Sequence, residues 1–317
     1  MRKQAKPAVD PAIHPLNGST RSGQPLSYNR APSPDLAPWI GRLYATMVDA
    51  PPGHRVDCGL FNDAATVRVQ LKGLWEAQTA DGPRRYERAA LFFGPQSRLM
   101  PVSVTGSFIS VGFTLRPGSG HAMRGIDTAD YIDNLLHCDE IGLGGTQALQ
   151  ALGALEPLGD PEAWLRALEE LIRHGVAAEG GRRPDPVTAR FEALAFTDPQ
   201  ANIADFARSC GISQRGLERI VRRDFGLPPK QVLRRARLLD MASHLRGVAD
   251  SAEADELALR FYDQSHLIRE FTKLFGMSPR QFVARPQPIL TLTLESRQAR
   301  RLEQIERLLP GDARPWQ

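Results

Sequence analysis

Gln214-Arg-Gly-Leu-Glu-Arg-Ile-Val-Arg-Arg-Asp-Phe-Gly-Leu-Pro-Pro229 returns fifty residues later as Gln264-Ser-His-Leu-Ile-Arg-Glu-Phe-Thr-Lys-Leu-Phe-Gly-Met-Ser-Pro279. Leu217, Arg219, Phe225, Gly226 and Pro229 recur as Leu267, Arg269, Phe275, Gly276 and Pro279, and Gln231 recurs as Gln281. Each copy reads as a short helix with a start and a stop. Ser213 and Asp263 are suited to cap the first turn, because a side-chain oxygen there accepts orphan amide hydrogens. Leu217, Val221 and Phe225 fall four residues apart on one face, as do Leu267, Phe271 and Phe275. Gly226 and Gly276 then provide left-handed stops, with proline just beyond. Ahead of the first copy, residues 203–210 form another helix ended at Gly211. Helix, tight glycine turn and capped helix make a helix-turn-helix.

The faces opposite those apolar rows are polar. The first presents Arg215, Glu218, Arg219, Arg222 and Arg223; the second presents Gln264, Ser265, His266, Arg269 and Lys273. Arginine pairs with guanine edges, glutamine with adenine, and glutamate accepts from cytosine. The remaining cations, with His266, suit phosphates. Between Ile212 and Arg237 stand eight Lys or Arg against Glu218 and Asp224. That local excess of six exceeds the formal charge of the whole chain, +4. Such a stripe is the electrostatic footprint expected for binding a polyanion.

Outward from the repeat, Gly180-Gly-Arg-Arg-Pro-Asp-Pro186 is a breaker-rich linker and the expected domain boundary. Before it, residues 39–117 carry short runs such as Thr66-Val-Arg-Val-Gln-Leu71, Ala89-Ala-Leu-Phe-Phe93 and Phe108-Ile-Ser-Val-Gly-Phe-Thr-Leu115. Their alternation of apolar and polar residues predicts half-buried antiparallel strands. Residues 127–137 and 161–176 read as helices, the second capped by Asp160 ahead of Pro161. The expected fold is α+β: a disordered leader over 1–36, rich in Pro, Ser, Gly and Asn; a β-rich sensor or oligomerisation domain with trailing helices over 37–179; an all-helical double helix-turn-helix domain over 187–285; and an amphipathic helical extension over 286–317. In the extension, a short apolar run (289–294) precedes a basic helix over 295–309. Arg297, Arg300, Arg301 and Arg307 there have three readings: cover for the helical domain, extra phosphate contacts, or pairing with a partner helix.

The C-terminal residues resemble the AraC/XylS family of transcription regulators over about 191–282. The most specific stretch is Asp263-Gln-Ser-His-Leu-Ile-Arg-Glu-Phe-Thr-Lys-Leu-Phe-Gly-Met-Ser-Pro279, and Ile203-Ala-Asp-Phe-Ala-Arg-Ser-Cys-Gly-Ile-Ser-Gln-Arg-Gly-Leu-Glu-Arg-Ile220 is also similar to the family. The resemblance implies two helix-turn-helix units joined by a long helix near 229–245, with both recognition helices in successive major grooves. It implies base contacts from Arg215, Glu218 and Arg219, and from Gln264, Ser265, Ile268 and Arg269. Ala258-Leu-Arg-Phe-Tyr-Asp263 departs from the pattern, running two residues short and lacking the usual glycine, so the second recognition helix is expected to seat differently or read fewer bases. Phe92-Phe-Gly-Pro-Gln96 and Val111-Gly-Phe-Thr-Leu-Arg-Pro-Gly118 resemble the sensor-like domain of some of these regulators. That implies an effector-binding or dimerising role for the N-terminal part.

Other chemistries have no support in the residues. The seven histidines are scattered, and a metal site needs three or four converging ligands. Gly142-Leu-Gly-Gly145 lacks a phosphate-loop lysine, and Ser103, Ser107 and Ser110 lack a nucleophile elbow. No catalytic constellation, cofactor or metal is expected. Cys58, Cys138 and Cys210 lie far apart, as suits a reducing cytoplasm. No segment reaches membrane-span length, and no apolar core of a signal peptide follows Met1-Arg-Lys. The expected function is a DNA-binding regulator responsive to a small molecule, with RNA polymerase and a second copy as further partners open to it and no membrane. The competing reading is a protein-interaction module with a degenerate second unit.

Overall fold

The computed structural model describes residues 6–250, 264–309 and 312–317. Its N-terminal part is a mixed-length antiparallel sheet built on two long strands, β5 (Thr66–Thr79) and β8 (Met100–Leu115). On one side of β8 lie β3 (Ile40–Asp49) and β4 (Arg55–Leu60); on the far side of β5 lie β6 (Gly82–Tyr86) and β7 (Ala89–Phe93). β1 (His14–Pro15) and β2 (Tyr28–Arg30) edge β3, and β9 (Leu135–His137) edges β7. The long strands bend where their pairing register shifts around Lys72. Gly73 and Gly106 have φ of 99° and 75° there, a backbone region that only glycine enters without steric cost.

Strand alternation splits the sheet into two unlike faces. Leu43, Ala45, Val67, Val69, Val111 and Phe113 form one apolar side. Against it pack α2 (Gly145–Ala154) and α3 (Pro161–Ala178), with Trp164 and Leu165 fully buried. Asp160 accepts from the Glu162 amide at 3.0 Å and Pro161 occupies the first turn, so α3 starts where its sequence says it should. The opposite side carries Arg42, Tyr44, Thr46, Thr66, Arg68 and Ser110 around a small hollow of about 40 Å³.

Three expectations fail, two of them in this half. Residues 6–36 are not a free leader. β1 and β2 join the sheet, Leu26 and Gln24 are buried, and Arg246 donates to the Ala8 carbonyl at 2.9 Å. The segment has few apolar residues, but a ready sheet edge and a buried guanidinium supply partners for its backbone. Residues 127–137 form only a single 3-10 turn (Thr128–Tyr131) before β9. Asp133, at φ 58°, breaks the helix and accepts from the Ser97 amide at 2.7 Å. The run 289–294 and the helix after it are one element, Pro288–Gln304, because Pro288 starts the helix ahead of the apolar run; within it Thr291 and Thr293 donate their hydroxyls to the Gln287 and Ile289 carbonyls.

Residues 179–185 lead from α3 into the helical part. It comprises α4 (Pro186–Thr197), α5 (Ile203–Ser209), α6 (Gln214–Phe225), α7 (Pro229–Leu245), α8 (Gln264–Phe275), α9 (Pro279–Ala284) and α10 (Pro288–Gln304). Helix α1 (Ser119–Arg124) crosses from the sheet towards α6. The chain is therefore α+β, sheet first and helices after.

α10 does not lie on the helical domain alone. It packs on β3, β4, α4 and α7 and closes over the polar face of the sheet. Arg42 forks onto Glu303 at 2.8 Å through one nitrogen, and Arg297 joins Asp63 at 2.9 Å and Asp240 at 2.6 Å. Arg297, Arg300 and Arg301 are buried, so burial and pairing withdraw these three cations from any surface role.

Candidate DNA-binding surface

The first unit is assembled by local signals. Asn202 accepts from the Ala204 and Asp205 amides to start α5, and Gly211 turns the chain at φ 68°. Ser213 accepts from the Gly216 amide at 3.0 Å to start α6. Leu217, Val221 and Phe225 are buried with Phe191, Ala207 and Val232, and the Phe191 ring meets Phe206 and Phe225 edge-on. Burying that row leaves one face of α6 outward. Arg215, Glu218, Arg219 and Arg222 are exposed on it, in an open depression that they line with Ser213 and Gly216.

Arg223 behaves differently from its expected place on that face. It is half-buried and forks onto the neighbouring Asp224, which is fully buried and also accepts from the Thr188 hydroxyl. The pair raises the Arg223 pKa through the hydrogen bonds from Arg223 to Asp224. Arg223 therefore secures the back of α6 instead of facing a partner.

The second unit is built on aromatic rings. Phe271 stacks on Phe275 at 4.2 Å, and Phe282 meets both edge-on at 5.2 Å. Ser278 and Gln281 form a reciprocal capping box that starts α9. Ser265, Ile268, Arg269 and Lys273 are exposed on α8. Gln264 lies in α8, and His266 with it, but their side chains are outside what the structure describes, as are the expected cap Asp263 and the shortened stretch 258–263. Between the two units, Lys230, Arg234 and Arg237 of α7 line an open groove with Gln214 and Glu270, and Arg234 reaches Glu270 at 3.3 Å.

Of the eight cations counted from 212 to 237, Arg235 is not on the surface. It is 2% exposed and donates to the Gln96 carbonyl at 2.8 Å and the Asp63 carbonyl at 2.6 Å. Burial lowers its pKa to about 10, so it stays charged at neutral pH. Neighbouring apolar periodicity places Arg235 next to Ala236 on an inward row. The charge count could not see this, because the acceptors lie in the distant sheet.

Both units are held by the sheet domain. Gly226, the left-handed stop of α6, sits against Ile132 and the Thr128 carbonyl, so closely that a Cβ there would lie 2.4 Å from Ile132 Cδ1. Phe61 meets Phe275 edge-on at 5.2 Å, and the Leu99 amide donates to the Leu274 carbonyl at 2.7 Å.

Capped helices, a glycine turn and a basic outward face on a buried apolar row define a helix-turn-helix domain. Residues 206–285 match the family model described as a helix-turn-helix domain. The chain is also 36% identical over 81 residues to YkgA of Escherichia coli (strain K12), named as an HTH-type transcriptional regulator; the match spans 26% of this chain and about a third, 34%, of YkgA. Among solved structures, ToxT from Vibrio cholerae is 10% identical at a TM-score of 0.44, covering 76% of this chain and 97% of ToxT. The AraC-like transcriptional activator CuxR is 15% identical at a TM-score of 0.28, covering 73% of this chain and 90% of CuxR.

Among the described residues no group of three or more His, Cys, Asp or Glu is arranged to hold a metal ion, and no helix is long and apolar enough to cross a membrane.

Proposed function

We propose that the protein is a transcription regulator that reads duplex DNA through α6 and α8. The observation that carries this is the outward row Arg215, Glu218, Arg219 and Arg222 on a helix whose start, stop and back face are all fixed by other residues. A rigid helix can hold side chains at base-pair spacing in a major groove. Arg215, Glu218 and Arg219 are assigned to base edges and Arg222 to phosphate. On α8, Gln264, Ser265, Ile268 and Arg269 are assigned to bases, with His266 and Lys273 near phosphate. The cations of α7 that line the groove between the units add sequence-independent attraction. Arg223 is not assigned a DNA contact.

The N-terminal part is read as the element that a small molecule controls, because turns between its strands touch both units: Ile132 against Gly226 of the first, and Phe61 against Phe275 of the second. A ligand that shifts either contact biases DNA affinity through differential contacts in the two states.

The experiment is retention of fragmented host DNA on the purified protein, eluted across a salt gradient. Recovery of a few discrete sites of about two helical turns supports a sequence-specific regulator. Uniform elution at low salt without an enriched site overturns the base-reading assignment and leaves only phosphate attraction. Failure to retain DNA at low salt favours a protein-interaction module.

A further inference from the structure

We propose that the hollow between the apolar face of the sheet and helices α1 to α3 is the ligand pocket of this protein, taking one small, predominantly apolar molecule. The proposal deepens the reading of the N-terminal part as ligand-controlled and rests on it.

The hollow encloses about 370 Å³. Close-packed interiors leave few voids larger than a water molecule, since every unfilled gap forfeits dispersion contacts on both walls. An apolar cavity of about 150 Å³ already accepts benzene, and pockets for small molecules begin near about 300 Å³. The walls here include Val67, Phe92 and Phe113 from three strands, Ala148 from α2 and Leu171 from α3. Apolar walls of this kind offer little to ordered water, which needs two to four polar partners, and much to a hydrocarbon or aromatic body. At the rim Arg124, ending α1, pairs with Glu179, just past α3, at 2.8 Å. Both are about one-third exposed, so the rim is polar and open to solvent. It suits a ligand whose single polar end stays outside.

One wall residue belongs to the other domain. Asp224 of α6 reaches the same hollow, where a Cβ on Gly118 would stand 3.0 Å from its Oδ2. Asp224 is fixed by Arg223 and Thr188. Thr128, also on the wall, abuts Gly226 through its carbonyl. An occupant therefore touches the segment that supports α6 from behind, with no intermediary. The polar hollow on the other side of the sheet is about one-ninth as large and is lined in part by α10.

The test uses the full chain and the uncharged fluorophore N-phenyl-1-naphthylamine. Saturable enhancement of its fluorescence at one probe per chain is expected. Ala148→Phe fills the hollow from α2 and is expected to weaken probe binding at least tenfold while far-UV circular dichroism is kept. Leu171→Trp, at a half-buried wall position, carries the same expectation should Ala148→Phe not fold. Absence of saturable binding in the unaltered chain, or unchanged binding in a folded variant, overturns the pocket. Hydrogen exchange reads the link to α6: amides of 118–128 and 224–226 are expected to slow on saturation, and unchanged exchange at 224–226 overturns that link. Neither readout involves DNA. A pocket that fails here leaves DNA retention standing, and a protein that retains no DNA can still bind the probe.

Discussion

The carboxylate of Asp63, in the turn after β4, accepts from Arg297 Nε of α10 at 2.9 Å. Arg300 approaches the other oxygen at 3.1 Å, and Arg235 of α7 donates to the Asp63 carbonyl. One turn of the sheet domain thus gathers three buried guanidiniums from two helices far apart in sequence. Removing a shared anion from such a cluster leaves buried charges uncompensated.

Asp63→Asn is therefore expected to destabilise the fold by about 3 kcal/mol, read as a lower midpoint in urea. Burial pushes the Asp63 carboxyl up, but Arg300 and Arg297 outweigh it and hold its pKa at about 2. A carboxylate depressed on folding contributes stability above its unfolded pKa of about 4. That contribution fades as pH falls from there through about 2. The unaltered chain should lose melting temperature over this window more steeply than Asp63→Asn does. Parallel curves would contradict the assignment.

Arg219→Ala and Arg222→Ala should differ in kind. Loss of a base-reading arginine is expected to cost about 1–3 kcal/mol on the preferred site and to narrow the gap between preferred and scrambled duplexes. Loss of a phosphate contact should weaken both duplexes alike and reduce the salt slope by about 1. Fluorescence anisotropy at several salt concentrations separates the two. If Arg219→Ala leaves discrimination intact, α6 does not dock as proposed.

Phe61→Ala removes the ring against Phe275 and is expected to cost about 3 kcal/mol. Because the lost contact joins the sheet to the second unit, protease sensitivity should rise first in residues 264–285. Cleavage rising first within the sheet would contradict this.

Gly226→Ala places a Cβ against Ile132 at a residue with φ 75°. Steric strain and backbone strain add, and about 2 kcal/mol of destabilisation is expected. Ile132→Ala in the same chain should return part of the loss, as neighbouring substitutions couple. Strict additivity of the two melting shifts would show that the domains do not meet there.

Much of the helical domain was legible because its signals are local. A cap oxygen, a four-residue apolar row and a glycine stop act within one turn of chain, so Ser213, Leu217 and Gly226 announce α6 without reference to anything distant. The strands of the sheet showed through their alternation for the same reason. Asp133 was harder, since a single residue with positive φ cancelled a helix that its neighbours favoured. Residues 6–36 were illegible because composition reports how much surface a segment can bury, not whether an edge strand and a buried Arg246 await its carbonyls.

By itself the sequence determined the two-part architecture, the repeated capped helices and the outward row of α6, since each follows from periodicity and capping over a few residues. Only the tertiary structure decided which arginines belong to that surface. Arg219 and Arg222 stay exposed, while Arg223, Arg235, Arg297 and Arg300 turn to acceptors, most of them brought by other elements. The hollow beneath the sheet was likewise undecidable from the chain, because a void is a property of how distant surfaces fail to meet. A charge has the same identity in sequence wherever it points, and the partner that neutralises it is found only when the chain has folded.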